Sequence, residues 1–157
     1  MQHRALLMLG IVLLSLGSVA VALWTQHALD MQPCPWCVLQ RLIFVLVGAA
    51  ALIGLAWRGT AGRLLSGTLV LVLSAAGAAA ALWQHFVAAA SDSCDRTLAE
   101  RIISGLGLDG SLPEIFQPRA SCADASVKLL GLSYELWSLA LFVVLGAMAL
   151  RLLRRAG

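Results

Sequence analysis

Four apolar runs, each long enough to cross a lipid bilayer, limit what this chain can fold into. They cover about residues 5–26, 38–57, 64–87 and 132–153. Each holds about 20 residues or more, and at ~1.5 Å rise per residue such a run crosses a hydrocarbon core of ~30 Å. Lipid offers no hydrogen bonds, so the backbone must satisfy itself and the runs must be helices. Composition agrees, since 61% of the 157 residues are hydrophobic and only 12% are charged. A water-soluble domain of this size could not cover its surface with so few charges. The expected architecture is a single integral membrane domain over residues 1–157. It is an all-α, antiparallel four-transmembrane-helix bundle with one long outer loop. The first run follows His3 and Arg4 and has small residues at 18–22, as a secretory signal does. Its apolar stretch exceeds the ~7–15 residues of a signal core, so it reads as a retained span.

Charge predicts the orientation. Arg4, Arg58, Arg63, Arg151, Arg154 and Arg155 fall at the two ends and in the short connection between spans two and three, with no acidic residue among them. All eight acidic residues, from Asp30 to Glu135, fall on the other side. Excess arginine marks the cytoplasmic face, so both termini are expected in the cytoplasm. The connections at about 27–37 and 88–131 then face outward, to the periplasm in a Gram-negative cell. The net charge of +3 reflects this asymmetry and gives no support for nucleic-acid binding. Trp24, Trp36, Trp83 and Trp137 near the outer helix ends, and Trp57 at an inner end, match an interfacial aromatic belt. The small residues from Ser74 to Ala81 predict close helix approach in the third span. Residues 98–108 have amphipathic spacing, which predicts a short helix lying either on the membrane surface or on the protein.

All four cysteines lie on the outward side, where disulfides persist. Cys34 and Cys37 form a C-x-x-C at the start of the second span, with Pro35 suited to a first helical turn. The pair can close a small ring or act as attacking and resolving thiols. A helix N-terminus stabilises the thiolate, which is the reactive species. A zinc site would more usually add a second C-x-x-C or paired histidines, so no metal is expected. Cys94 and Cys122 lie in the long loop. A disulfide closing residues 94–122 would stabilise the chain by ~3–4 kcal/mol if static, or it could exchange with a soluble thiol protein. Four cysteines allow three pairings, and spacing alone does not choose among them.

Arg41 lies one turn beyond Cys37 on the same helix face. A buried guanidinium in a membrane helix is costly. It either snorkels to the interface or supports an anion, such as the Cys37 thiolate or charge developing on an electron acceptor. His85, at the outer end of the third span, either answers the helix dipole or donates a hydrogen bond or proton at the depth of Cys37. Glu135 reads as a helix N-terminal charge or an arginine partner.

The chain resembles the bacterial DsbB family, the disulfide bond formation proteins, over essentially its whole length. The residues that carry the resemblance are Pro33-Cys34-Pro35-Trp36-Cys37-Val38-Leu39-Gln40-Arg41, Trp83-Gln84-His85, Ser93-Cys94-Asp95, Ser121-Cys122-Ala123 and Gly131-Leu132, in that order. The resemblance implies a quinone-dependent thiol oxidase in the bacterial inner membrane. It would reoxidise a periplasmic DsbA-like partner and pass electrons to ubiquinone or menaquinone. That relay is established chemistry of the family rather than a deduction from these residues. The resemblance further implies a partner-facing Cys94–Cys122 disulfide, with Cys94 taking the mixed disulfide. It implies a quinone-facing Cys34–Cys37 pair, with Cys37 meeting the quinone and with Arg41 and His85 in the quinone site. Gln40 stands where some members carry glutamate, which puts an acid–base role there in doubt. DsbA is a strong oxidant at about −120 mV, so an acceptor of low potential would stall the relay, and a quinone is a suitable sink.

Two alternatives differ in kind. A bacterial vitamin-K-epoxide-reductase-like thiol oxidase would use the same logic, but that family usually carries its quinone-facing pair in a later helix. A non-catalytic membrane protein, stabilised by disulfides or binding a metal, would keep inert cysteines.

Overall fold

The computed structural model describes residues 2–57, 59–88, 97–124, 128–129 and 131–154. Four long helices dominate it: α1 (Gln2–Ala28), α2 (Pro35–Ala56), α3 (Thr60–Phe86) and, at the C-terminal end, α7 (Tyr134–Arg154). All four are long and apolar enough to cross a membrane. Between α3 and α7 lie three short helices, α4 (Leu98–Gly105), α5 (Leu108–Ser111) and α6 (Pro113–Phe116). A two-residue antiparallel pair, β1 (Lys128–Leu129) with β2 (Leu132–Ser133), leads into α7. Gly131 in that turn has φ +84°, a conformation that favours glycine.

Local chemistry sets the helix starts. Pro35 opens α2 and Cys34 caps it, its sulfur accepting the Cys37 N–H at 3.3 Å. The helix therefore begins three residues before the expected apolar run and carries Cys37 within its first turn. Thr97 caps α4 by accepting from the Glu100 N–H at 3.2 Å, satisfying one of the unpaired donors of that first turn.

The long helices pack in sequence, with α2 between α1 and α3, and α7 against α3; α7 touches α1 much less. Small residues permit the close contacts. A methyl group added at Gly77 of α3 would run into the Phe142 ring, which stacks on Phe44 with centroids 4.0 Å apart. Ser74, Gly77, Ala80 and Ala81 are buried, whereas Ala75, Ala76 and Ala79 are exposed, so only one side of the small-residue stretch faces other helices. Because both aromatic rings are buried and fixed by stacking, Gly77→Val is expected to destabilise the bundle by about 1–3 kcal/mol. Detergent-solubilised protein should show a lower Tm; an unchanged Tm would contradict the packing.

One sequence expectation changes here, and one open alternative is decided. Trp36 is buried and packs 6.3 Å from Trp83, centroid to centroid, so it belongs to the core and not to the interfacial belt. It belongs to the same buried cluster as Ala99 and Cys122 of the long loop. The amphipathic segment forms α4 and docks on α2, where Ile103 joins Val38 and Phe116 in a small second core. Leu98, Ile102 and Leu106 remain exposed on its other side.

Candidate functional site

The thiols gather where the two loops meet. The carbonyl of Pro33 accepts from the backbone N–H groups of Arg119 (2.9 Å) and Ala120 (3.3 Å). This anchors the second loop onto the first, one residue before Cys34. Cys122 thereby comes beside Cys34, close enough for each thiol to influence the ionisation of the other. On the other side, Cys34 Sγ lies 2.8 Å from Cys37 Sγ. Cys34 is fully buried between its two neighbours, and Cys37 is half-buried. Cys94 lies outside the described residues.

The environments push the loop thiol and the buried thiol apart. Burial raises the Cys34 thiol well above its ordinary range, and the neighbouring Cys122 and Cys37 add to the effect. Cys122 is lowered, first by the neighbouring Cys34 thiol and further by the backbone at Trp36, against opposition from burial. The thiolate is the reactive form, so a lowered thiol reacts at lower pH. In the fully reduced protein, brief alkylation across a pH series should therefore modify Cys122 before Cys34, as read by peptide mass spectrometry. Equal or earlier labelling of Cys34 would contradict this arrangement.

Behind Cys37, polar side chains run across the bundle. Gln84 of α3 donates from Nε2 to Cys37 Sγ at 3.2 Å, and its Oε1 accepts from Gln40 Nε2 at 2.7 Å. Both glutamines are buried, and each satisfies the other. Arg41 is also buried and does not snorkel away. Its Nη1 donates to Gln26 Oε1 (2.7 Å) and to the Ile115 carbonyl (3.1 Å). Gln26 in turn donates to the Glu114 carbonyl at 3.2 Å, so Arg41 joins α2 to α1 and to α6. The exposed Glu114 carboxyl is held below its usual range by its hydrogen bond with His27 and by Arg119.

A cavity of about 400 Å³ opens beside these groups, between α1 and α7, the most loosely packed of the neighbouring long-helix pairs. Cys37, Gln40, Arg41 and Gln84 form its polar wall, and Phe44, Leu141 and α1 side chains form its apolar wall. Leu13 and Val21 line it and are also 64% and 55% exposed, so the cavity reaches the apolar flank of the bundle. The volume is that of a small-molecule site, mostly apolar with a few placed polar groups.

His85 is not on the cavity wall. Its Nδ1 lies 2.8 Å from Oε1 of Glu135, and it is Glu135 that lines the cavity. Of the two expectations for Glu135, the helix N-terminal charge holds, since it lies in the first turn of α7, and its side-chain partner is a histidine instead of an arginine. Sequence reasoning also missed Gln84 and Gln26. The available signal was polarity, since an uncharged amide inside an apolar span needs a partner. Which partner depends on helix rotation, and that is not visible in the sequence.

A four-helix membrane bundle with clustered thiols at the mouth of an apolar, flank-opening cavity defines a membrane thiol oxidoreductase. Comparison with known proteins makes this specific. The family model "Disulfide bond formation protein DsbB" matches residues 3–152. A "Disulfide bond formation protein B 1" of Pseudomonas savastanoi pv. phaseolicola is 39% identical over 145 residues, covering 91% of this chain and 84% of the relative. A "Disulfide bond formation protein B" of Aromatoleum aromaticum is 31% identical over 153 residues, covering 95% and 92%. The chain belongs to the DsbB family. It is a multi-pass membrane enzyme that generates disulfides and reoxidises DsbA, and the family is quinone-dependent in general.

Proposed function

We propose that electrons enter at the Cys94 and Cys122 pair, pass to Cys34 and Cys37, and leave to a ubiquinone or menaquinone head group in the α1–α7 cavity. The observation that carries this reading is the placement of Cys37 and Arg41 on one wall of a cavity that reaches the apolar flank. The contact between Cys122 and Cys34 supports thiol–disulfide exchange from the loop to the helix mouth. A bound quinone supplies a sink for two electrons and two protons. Cys37 is the thiol beside that sink, and Gln84 holds its sulfur by a hydrogen bond. Arg41 supplies positive charge, and the apolar wall excludes water. Cys94 receives the partner's thiolate, and His85 serves the site from behind the wall. Both termini lie in the cytoplasm, the loops at 27–37 and 88–131 face the periplasm, and the chain forms one domain.

The test is quinone reduction driven by a reduced DsbA-like protein, with ubiquinone and menaquinone compared. Gly17 lines the cavity, and a Cβ added there meets nothing within 4 Å. Gly17→Leu should therefore fill the cavity without unfolding the helix, and weaken quinone binding about tenfold or more. Undiminished binding would remove the quinone from this cavity. Orientation is checked with Gly59→Cys and Asp109→Cys, each in a cysteine-free background. An impermeant maleimide added to spheroplasts should label only the second.

A further inference from the structure

Reducing a quinone takes up two protons as well as two electrons. When Cys34 and Cys37 close to a disulfide, two S–H bonds are lost and one S–S bond forms. Two electrons and two protons leave the dithiol, and the quinol gains two of each. The overall balance is complete, but the proton path is not specified by it. An attacking thiolate has already released its proton, and the cavity has an apolar wall where water supplies none. A group on the wall must therefore hand over a proton.

The candidates on the wall are few. Arg41 does not release its proton at any working pH. Gln40 and Gln84 do not titrate, and they are bonded to each other. The Tyr134 hydroxyl lies 3.4 Å from the Thr25 hydroxyl, and a phenol is a poor acid near neutrality. Among the lining residues, Glu135 alone has a carboxyl group. It is buried at 4% exposure. Its Oε1 meets His85 Nδ1 at 2.8 Å, and its Oε2 has no hydrogen-bond partner among the described residues. The His85 side chain is 32% exposed. Glu135 thus lines the cavity and keeps one carboxyl oxygen without a partner among the described residues, and His85 behind it reaches the protein surface.

We propose that Glu135 delivers protons to the quinone site and that His85 reloads it from the aqueous side. The proposal rests on the reading of the cavity as the quinone site. In each of two transfers per turnover, a proton moves from the Glu135 carboxyl to a quinone oxygen that has accepted electrons. His85 then passes a proton to the carboxylate and takes another from solvent. Two such transfers complete the quinol, and the protons released by the dithiol leave separately to water. The charged and titratable groups facing Glu135 are His85 of α3, Cys122 of the loop, Cys37 and Arg41 of α2 across the cavity, and Tyr134 beside it. The lining residues of α1, from Leu13 to Thr25, contribute none.

Three variants test this in the quinone-loaded protein. Glu135→Gln keeps the size of the side chain and an oxygen for His85. It should lower kcat for quinone reduction about 10²-fold, with quinone affinity within about threefold of wild type. Glu135→Asp should recover part of that loss. His85→Ala should slow turnover less, and added imidazole should restore it, whereas imidazole should not restore Glu135→Gln. Infrared difference spectra recorded on quinone reduction should show a carboxyl band that Glu135→Gln removes. A Glu135→Gln protein with wild-type kcat, or one whose loss lies in quinone affinity alone, overturns the proposal. So does an infrared difference spectrum that Glu135→Gln leaves unchanged. Failure of the cavity reading has a different signature: Gly17→Leu would leave quinone binding intact.

Discussion

Cys37→Ser is expected to abolish quinone reduction by a reduced DsbA-like partner, with a loss of about 10³-fold or more. A serine hydroxyl is not ionised near neutrality and cannot form the disulfide with Cys34. Of the described thiols, Cys37 alone lines the cavity. Cys34 is fully buried behind it and does not line the cavity, so it is not placed to take over as nucleophile. Quinone affinity should stay within about threefold of wild type, because the substitution replaces one atom in a wall that also holds Arg41, Gln40 and Phe44. The contrast between lost turnover and kept binding is the informative result. Substantial quinone reduction by Cys37→Ser would mean that another thiol meets the acceptor. Lost binding would mean that the sulfur shapes the cavity, and the role assigned to Cys37 would fall.

What the sequence made legible and what it did not separate by physical cause. The four spans follow from bilayer thickness and helical rise, which act on any sequence, and they lie at α1, α2, α3 and α7 with ends shifted by a few residues. The Cys34–Cys37 motif was legible because a three-residue spacing at a proline-marked helix start fixes its own geometry. The cluster around it was not. Cys122 meets Cys34 because two backbone N–H groups bond to Pro33. Backbone bonds of this kind carry no side-chain signature. Gln84 meets Cys37, and Glu135 meets His85, only because α3 and α7 are rotated to present those faces. Depth alone assigns Trp36 to the interfacial belt. It is buried in one cluster with Ala99 and Cys122 of the long loop, tertiary packing that a depth rule does not contain.

Arg41 separates two kinds of contribution that a single substitution would confuse. Its guanidinium is bonded to Gln26, to the Ile115 carbonyl and, at 3.4 Å, to the Ala22 carbonyl. Arg41→Leu removes all these donors and leaves buried acceptors without partners, at a cost of about 1–3 kcal/mol for each that cannot find another. Among the described residues, it also removes the only cavity-lining side chain with a permanent positive charge. Loss of one preorganised electrostatic contact typically lowers turnover about 10²–10³-fold, so activity should suffer more visibly than folding. The stability loss should appear as faster proteolysis around residues 113–119, where α6 is held to α2 through Arg41. Arg41→Lys distinguishes the two effects. Lysine keeps the charge but lacks the planar fork that reaches α1 and α6 together. If charge serves the acceptor, Arg41→Lys should retain quinone reduction within about tenfold of wild type while the loop is cut faster. If Arg41 only fastens the loop, Arg41→Lys and Arg41→Leu should lose activity in proportion to their proteolysis rates, and the proposed electrostatic role would be rejected.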